Sequence, residues 1–142
     1  MIKVIEIFEA ETVTDCTLPL YLSRIKAGFP SPAEDYLDKK LDLNEYLIKH
    51  PASTFFVKVK GDSMTGAGIN SGDILIVDRS LEPKDKCIVV AVVNGEFTVK
   101  RVSKKVSRVS LLAENPKYPA IEINESMDFE VWGVVTNVIH QV

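Results

Sequence analysis

The sequence has little of what most often announces a chemical site. Its 142 residues include 2 cysteines and 2 histidines. Cys16 and Cys87 form no Cys-x-x-Cys pair and no histidine cluster accompanies them, so neither a disulfide framework nor a zinc site is indicated. Cys87 reads as a small buried hydrophobe. Positive charge is not in excess either: 17 Lys and Arg against 20 Asp and Glu leave a net charge of −3. With no obviously basic face, strong direct binding to a phosphate backbone is disfavoured, and any link to nucleic acid should run through a protein partner. Long apolar runs are missing as well. The longest, Cys87–Val93, falls far short of the roughly 20 residues that a membrane-spanning helix needs. Glu6, Glu9 and Glu11 stand where a signal peptide would be basic and then apolar, so the expectation is a cytoplasmic chain. No phosphate-cradling glycine loop is present, and no cofactor or metal is called for.

What is there is a balance of 46% hydrophobic and 26% charged residues, the composition of one globular domain with a core. Residues 1–31 mix charges, prolines and isolated apolar residues without a sustained period, and read as an N-terminal arm ending in the extended Gly28-Phe29-Pro30-Ser31-Pro32. Residues 32–142 form the main domain. It opens with loosely spaced apolar residues from Pro32 to Ile48, which allow one or two short helices broken near Asp42 and ended by His50-Pro51. Beyond Pro51 come strand-like runs over Thr54–Val59, Ile74–Val77, Cys87–Val93, Glu96–Val102, Val106–Leu112, Ile121–Ile123 and Phe129–Ile139. Their number and spacing predict a mostly β fold, antiparallel and closed or folded on itself. The sharpest local signal is Val92-Val93-Asn94-Gly95-Glu96-Phe97, in which Asn-Gly is the preferred chemistry of a two-residue type I′ hairpin.

That hairpin places a lysine. With Asn94 and Gly95 as the loop, counting outward pairs Val93 with Glu96, Val92 with Phe97, Ala91 with Thr98, Val90 with Val99 and Val89 with Lys100. Pattern alone favours Lys100 on the solvent face, its ammonium in water. A chemical role requires burial, because a lysine takes a proton from a serine only when neutral. Its pKa must then fall from about 10.4 toward roughly 7 or 8. Val89, Val99 and Val102 are suitable surroundings for that. The matching serine is in Gly61-Asp62-Ser63-Met64, at the exit of a strand, with glycines on both sides. A serine there can present its hydroxyl and neighbouring backbone N–H groups to one carbonyl, or can simply hydrogen-bond within its turn. His50 and His140 lie in no context that aims them at Ser63, and Glu34, Asp35 and Asp38 read as the exposed side of a short helix.

Spacing permits a Ser/Lys pair without selecting it. Ala27-Gly28-Phe29-Pro30-Ser31-Pro32, Gly61-Asp62-Ser63-Met64, Ser71-Gly72-Asp73 and Gly95-Glu96-Phe97-Thr98-Val99-Lys100-Arg101, in this order, resemble the UmuD branch of the LexA-type self-cleaving proteins. The resemblance runs from about Gly28 to Val142 and takes in Val131-Trp132-Gly133-Val134-Val135, whereas Met1–Lys26 matches poorly. It implies a LexA/signal-peptidase-like folded β core of antiparallel strands with a flexible N-terminal arm. It also implies Ser63 as nucleophile, Lys100 as general base, the backbone amides of Asp62 and Ser63 as oxyanion hole, and the Ala27–Gly28 bond as substrate. Implied partners are a second copy of the chain, with Phe129–Ile139 as a candidate contact, a RecA nucleoprotein filament that stimulates cleavage, and a UmuC-like Y-family polymerase that the shortened product joins in the SOS response to DNA damage.

The residues before Ala27 are too few for a helix-turn-helix domain, which disfavours a repressor. Type I signal peptidases share the dyad but carry a membrane anchor. Ala27 itself departs from the UmuD pattern, which often has cysteine there, and follows the repressors. The alternative is a non-catalytic dimeric adaptor that binds polymerase or RecA filament. A β-rich small-ligand binder is weaker, since no convergent polar pocket can be named.

Overall fold

The computed structural model describes residues 2–10, 17–21 and 37–142. Backbone contacts divide the chain into two compact units, one made of residues 1–10 together with 50–142, the other of residues 11–49.

The larger unit is one antiparallel sheet of eight strands: β1 (Lys3–Glu9), β4 (Thr54–Lys60), β5 (Ile74–Asp78), β6 (Ile88–Val93), β7 (Glu96–Lys105), β8 (Arg108–Leu112), β9 (Ile121–Glu122) and β10 (Phe129–Ile139). Their order across the sheet is β1-β4-β5-β10-β6-β7-β8-β9, and the sheet curls so that β1 also lies against β7. All seven strand-like runs of the sequence become strands, in agreement with the mostly β class. Alternation within each strand sorts side chains onto two faces. Val57 and Val59, Leu75 and Val77, Val90 and Val99 close over Ile2, Met64 and Ile69 in one core. Val89, Ala91, Val102, Leu111 and Val134 form a second, with Cys87 half-buried beside it. Because neighbouring residues of β6 feed opposite cores, Val89, Val90 and Ala91 are all inaccessible to water.

The β6–β7 hairpin has the register that its turn chemistry dictates, from Val93 opposite Glu96 outward to Val89 opposite Lys100. Asn94 and Gly95 both adopt positive φ, at 50° and 82°, as a type I′ turn requires. The Asn94 Oδ1 also accepts the Asp128 N–H at 3.0 Å, tying the turn to the segment before β10.

Residues 2–10 are the main difference from expectation. Read from composition as part of an arm, they pair along β4 as an edge strand, with Lys3 opposite Lys60 and Glu9 opposite Phe55. Ile2 at its start is buried in the first core. The strand left no periodic signature because Val4 alone within it is partly buried, while Ile5, Ile7 and Phe8 are exposed. In the smaller unit β2 (Thr17–Tyr21) pairs antiparallel with β3 (Leu37–Asp42), and α1 (Leu43–Leu47) follows directly. Among the described residues of the expected helical stretch, Leu43–Leu47 is helical and Leu37–Asp42 is extended. Asp42 sets the boundary, its carboxylate accepting the Asn44 N–H at 2.9 Å as an N-cap. Among the described residues no helix is long and apolar enough to cross a membrane.

Candidate active site

Lys100 is the one buried basic side chain among the described residues, 1% exposed although it carries an ammonium. Strand β7 puts it there: Val99 and Val102 face apolar cores, Val89 stands opposite, and the register leaves its stem no route to the surface. The solvent-face arrangement favoured by pattern alone is therefore not the one adopted. Desolvation pushes the Lys100 pKa below the ordinary lysine value, since burial penalises the charged form. The Tyr118 ring lies beside Lys100, its centroid 5.7 Å from Nζ.

Ser63 is fully buried in the turn that leaves β4. Gly61 at φ 119° reverses the chain there, and Met64 plugs into the first core just after the serine. Ser63 Oγ accepts the backbone N–H of Ile2 at 3.0 Å, so the entry of β1 sits directly on the hydroxyl. Among the described hydrogen bonds none joins Ser63 Oγ to Lys100 Nζ. A serine and its base often close up only around substrate. Of the two amides expected to form an oxyanion hole, the Ser63 N–H donates to no described acceptor, while the Asp62 N–H lies against its own carboxylate.

A segment that the sequence did not single out holds this turn. After β8 the chain runs antiparallel to it: Glu114 N–H donates to Ser63 O at 2.9 Å, and Gly66 N–H donates to Glu114 O at 2.7 Å. Asn115 Nδ2 donates to Asp62 O at 2.9 Å, and the Tyr118 hydroxyl donates to Asp62 Oδ1. A Cβ on Gly66 would stand 2.6 Å from Glu114 O, so glycine is what allows the close approach. Glu114 also pairs with Arg101, next to Lys100 on β7. The one available sequence signal was an aromatic flanked by prolines, Pro116-Lys117-Tyr118-Pro119, which says nothing of its distant partner.

The histidines lie elsewhere. His50 Nδ1 is 2.5 Å from Asp78 Oδ2 and His140 Nδ1 is 2.6 Å from Asp73 Oδ1, each anchoring a buried aspartate near a chain end or junction. Neither bonds Ser63. Ala27, Gly28, Cys16, Glu34 and Asp35 lie outside the described residues.

Residues 19–136 match the Peptidase S24-like family. Among similar proteins, Protein SamA of Salmonella typhimurium is 49% identical over 125 residues, covering 88% of this chain and 86% of SamA. Protein MucA of Escherichia coli is 44% identical over 137 residues, 94% of this chain and 92% of MucA. The LexA repressor of Paracidovorax citrulli is 35% identical over 127 residues, 89% of this chain but 56% of the repressor. With most of its length matched, a curled antiparallel sheet, and a buried serine and lysine on its strands and turns, the chain belongs to the Peptidase S24-like family.

Proposed function

We propose that this chain is a self-cleaving serine endopeptidase that cuts its own Ala27–Gly28 bond with Ser63 as nucleophile and Lys100 as general base. The observation that carries the reading is a lysine with its whole side chain out of water, its pKa lowered by desolvation. Such a lysine is neutral in a useful fraction of molecules at a pH where an exposed one is charged. In the proposed reaction neutral Lys100 takes the Ser63 hydroxyl proton as Oγ attacks the Ala27 carbonyl. The resulting oxyanion is met by the Ser63 N–H, with the Asp62 N–H after it turns from its own carboxylate. Collapse breaks the C–N bond, and the protonated Lys100 returns its proton to the Gly28 amine. Water then attacks the acyl-enzyme, its proton taken by Lys100, and Ser63 is released.

The wider setting is proposed from the family resemblance: a homodimer whose cleavage is stimulated by a RecA filament, and whose product, residues 28–142, supports a Y-family polymerase in SOS mutagenesis. Nearly full-length similarity to SamA and MucA supports that branch over the longer repressor.

The test is intact-mass spectrometry after incubation at about pH 10, with and without activated RecA filament, since a lysine base gains activity as it deprotonates. A species beginning at Gly28 is expected, absent from Ser63→Ala and Lys100→Ala, with both variants folded. The rate should rise with pH and level off below the ordinary lysine pKa of about 10.4. Absence of cleavage in wild type under both conditions would leave the adaptor reading in its place.

A further inference from the structure

Asp62 is an unwelcome neighbour for a general-base lysine. It directly precedes Ser63, and Tyr118 touches both it and Lys100: the hydroxyl donates to Asp62 Oδ1 while the ring centroid is 5.7 Å from Lys100 Nζ. Tyr118 thus links the exposed Asp62 carboxylate to the surroundings of Lys100. A carboxylate released toward a buried lysine favours the ammonium and raises the pKa that burial has lowered.

We propose that Tyr118 is a positioning residue of the Ser63/Lys100 reaction, holding the Asp62 carboxylate away from Lys100 and pinning the turn that carries Ser63. The inference rests on the proposed roles of Ser63 and Lys100. The surroundings single out this pair. Opposite Lys100, β6 offers Val89 and no charge; on β7, Thr98 shares its face and is uncharged, and Arg101 is committed to Glu114. β1 brings Ile2 to the serine, and the N-terminal ammonium and Lys117 act as cations on Asp62. Asp62 is the carboxylate that Tyr118 links to the site.

The bond also persists where it is needed. Tyr118 donation is the largest influence holding Asp62 below the usual carboxylate range, and the same bond is the largest influence raising the Tyr118 hydroxyl above the usual tyrosine range. Asp62 is therefore ionised and Tyr118 protonated through the mildly alkaline range in which a lysine base works. Asn115, on the Asp62 carbonyl, and Glu114, on the Ser63 carbonyl, fix the backbone, and among the described hydrogen bonds Tyr118 is the side chain that holds the carboxylate.

The experiment is a pH titration of Lys100 by its 13Cε chemical shift in the uncleavable Ser63→Ala chain, alone and with Tyr118→Phe, Asp62→Asn or both. Tyr118→Phe keeps the ring and removes the hydroxyl. It should raise the Lys100 midpoint by about 0.5 to 1 unit, and adding Asp62→Asn should abolish the rise. In chains with Ser63 intact, the pH midpoint of self-cleavage should shift by the same amount and be restored in the same way. An unchanged Lys100 midpoint in Tyr118→Phe overturns the proposal, as does a rise that Asp62→Asn leaves in place. Should Tyr118→Phe fail to fold, Asp62→Asn decides: a lowered Lys100 midpoint in that variant alone means the clamped carboxylate already acts on Lys100, which also overturns it. The expected midpoints with no cleavage by wild type would overturn the endopeptidase reading, while the arrangement of Tyr118, Asp62 and Lys100 stands.

Discussion

The two sides of the candidate site are built by different means. Lys100 is positioned by a hairpin whose turn is five residues away, with partners on β6 within a dozen positions. Ser63 is positioned by groups far along the chain, Ile2 before it and the stretch from Glu114 to Tyr118 after it. Burial lowers the pKa on the lysine side, and backbone hydrogen bonds hold the geometry on the serine side. One side should therefore answer to changes of charge and burial, and the other to changes of close approach.

Gly66→Ala tests that contrast most severely. Its new Cβ would meet Glu114 O at 2.6 Å and push the buttress off the serine turn. Overpacking of this kind costs about 1 to 3 kcal/mol. With Ser63 as the proposed nucleophile, its displacement should lower the self-cleavage rate about 10- to 100-fold, while the hairpin stays intact. Urea unfolding and the time course of intact mass give both quantities. A full cleavage rate would mean that the buttress does not position Ser63.

Lys100→Met probes the other side through pH. With its folded pKa lowered, Lys100 is protonated more fully in the unfolded chain between that pKa and about 10.4, so its contribution to stability improves as pH rises through this window. The methionine variant should be more stable than wild type at pH 7, and the difference should shrink toward pH 10.4. Melting temperatures across that range would show it, and a gap independent of pH would locate the effect in packing instead.

Asn94→Ala should have the smallest effect. An alanine at φ 50° costs about 1 to 2 kcal/mol, and the bond to the Asp128 N–H is lost as well. Global stability should fall by about that amount, with the pH midpoint of cleavage unmoved because Gly95 and the buried valines keep the same register without Asn94. A shifted midpoint would show that the turn governs the surroundings of Lys100 directly.

The same contrast explains what could be read from the sequence. Asn94-Gly95 between β-branched residues is a local signal, and it carried the register as far as Lys100. The alternating runs after Pro51 likewise became strands because each buries one or both faces. β1 was not legible: with Ile5, Ile7 and Phe8 exposed, its pairing rests on main-chain bonds to β4 that leave no pattern in side chains. Nor was the hold of Tyr118 and Asn115 on Asp62, which joins polar groups across more than fifty positions. The burial of Lys100 lay between these cases. Its strand was foreseeable, but which face of the strand would be covered depends on how the whole sheet curls.

The position of β1 gives the proposed reaction a lasting result. Strand β1 precedes Gly28, so cutting there severs it from the chain, and its departure would strip β4 of its outer neighbour. The shortened protein would then carry a fresh sheet border, with unpaired N–H and C=O groups along Thr54–Lys60 and an apolar slot where Ile2 had been. A strand from another chain could be received there. The same cut that ends the life of the precursor would expose a docking edge that the precursor had kept covered.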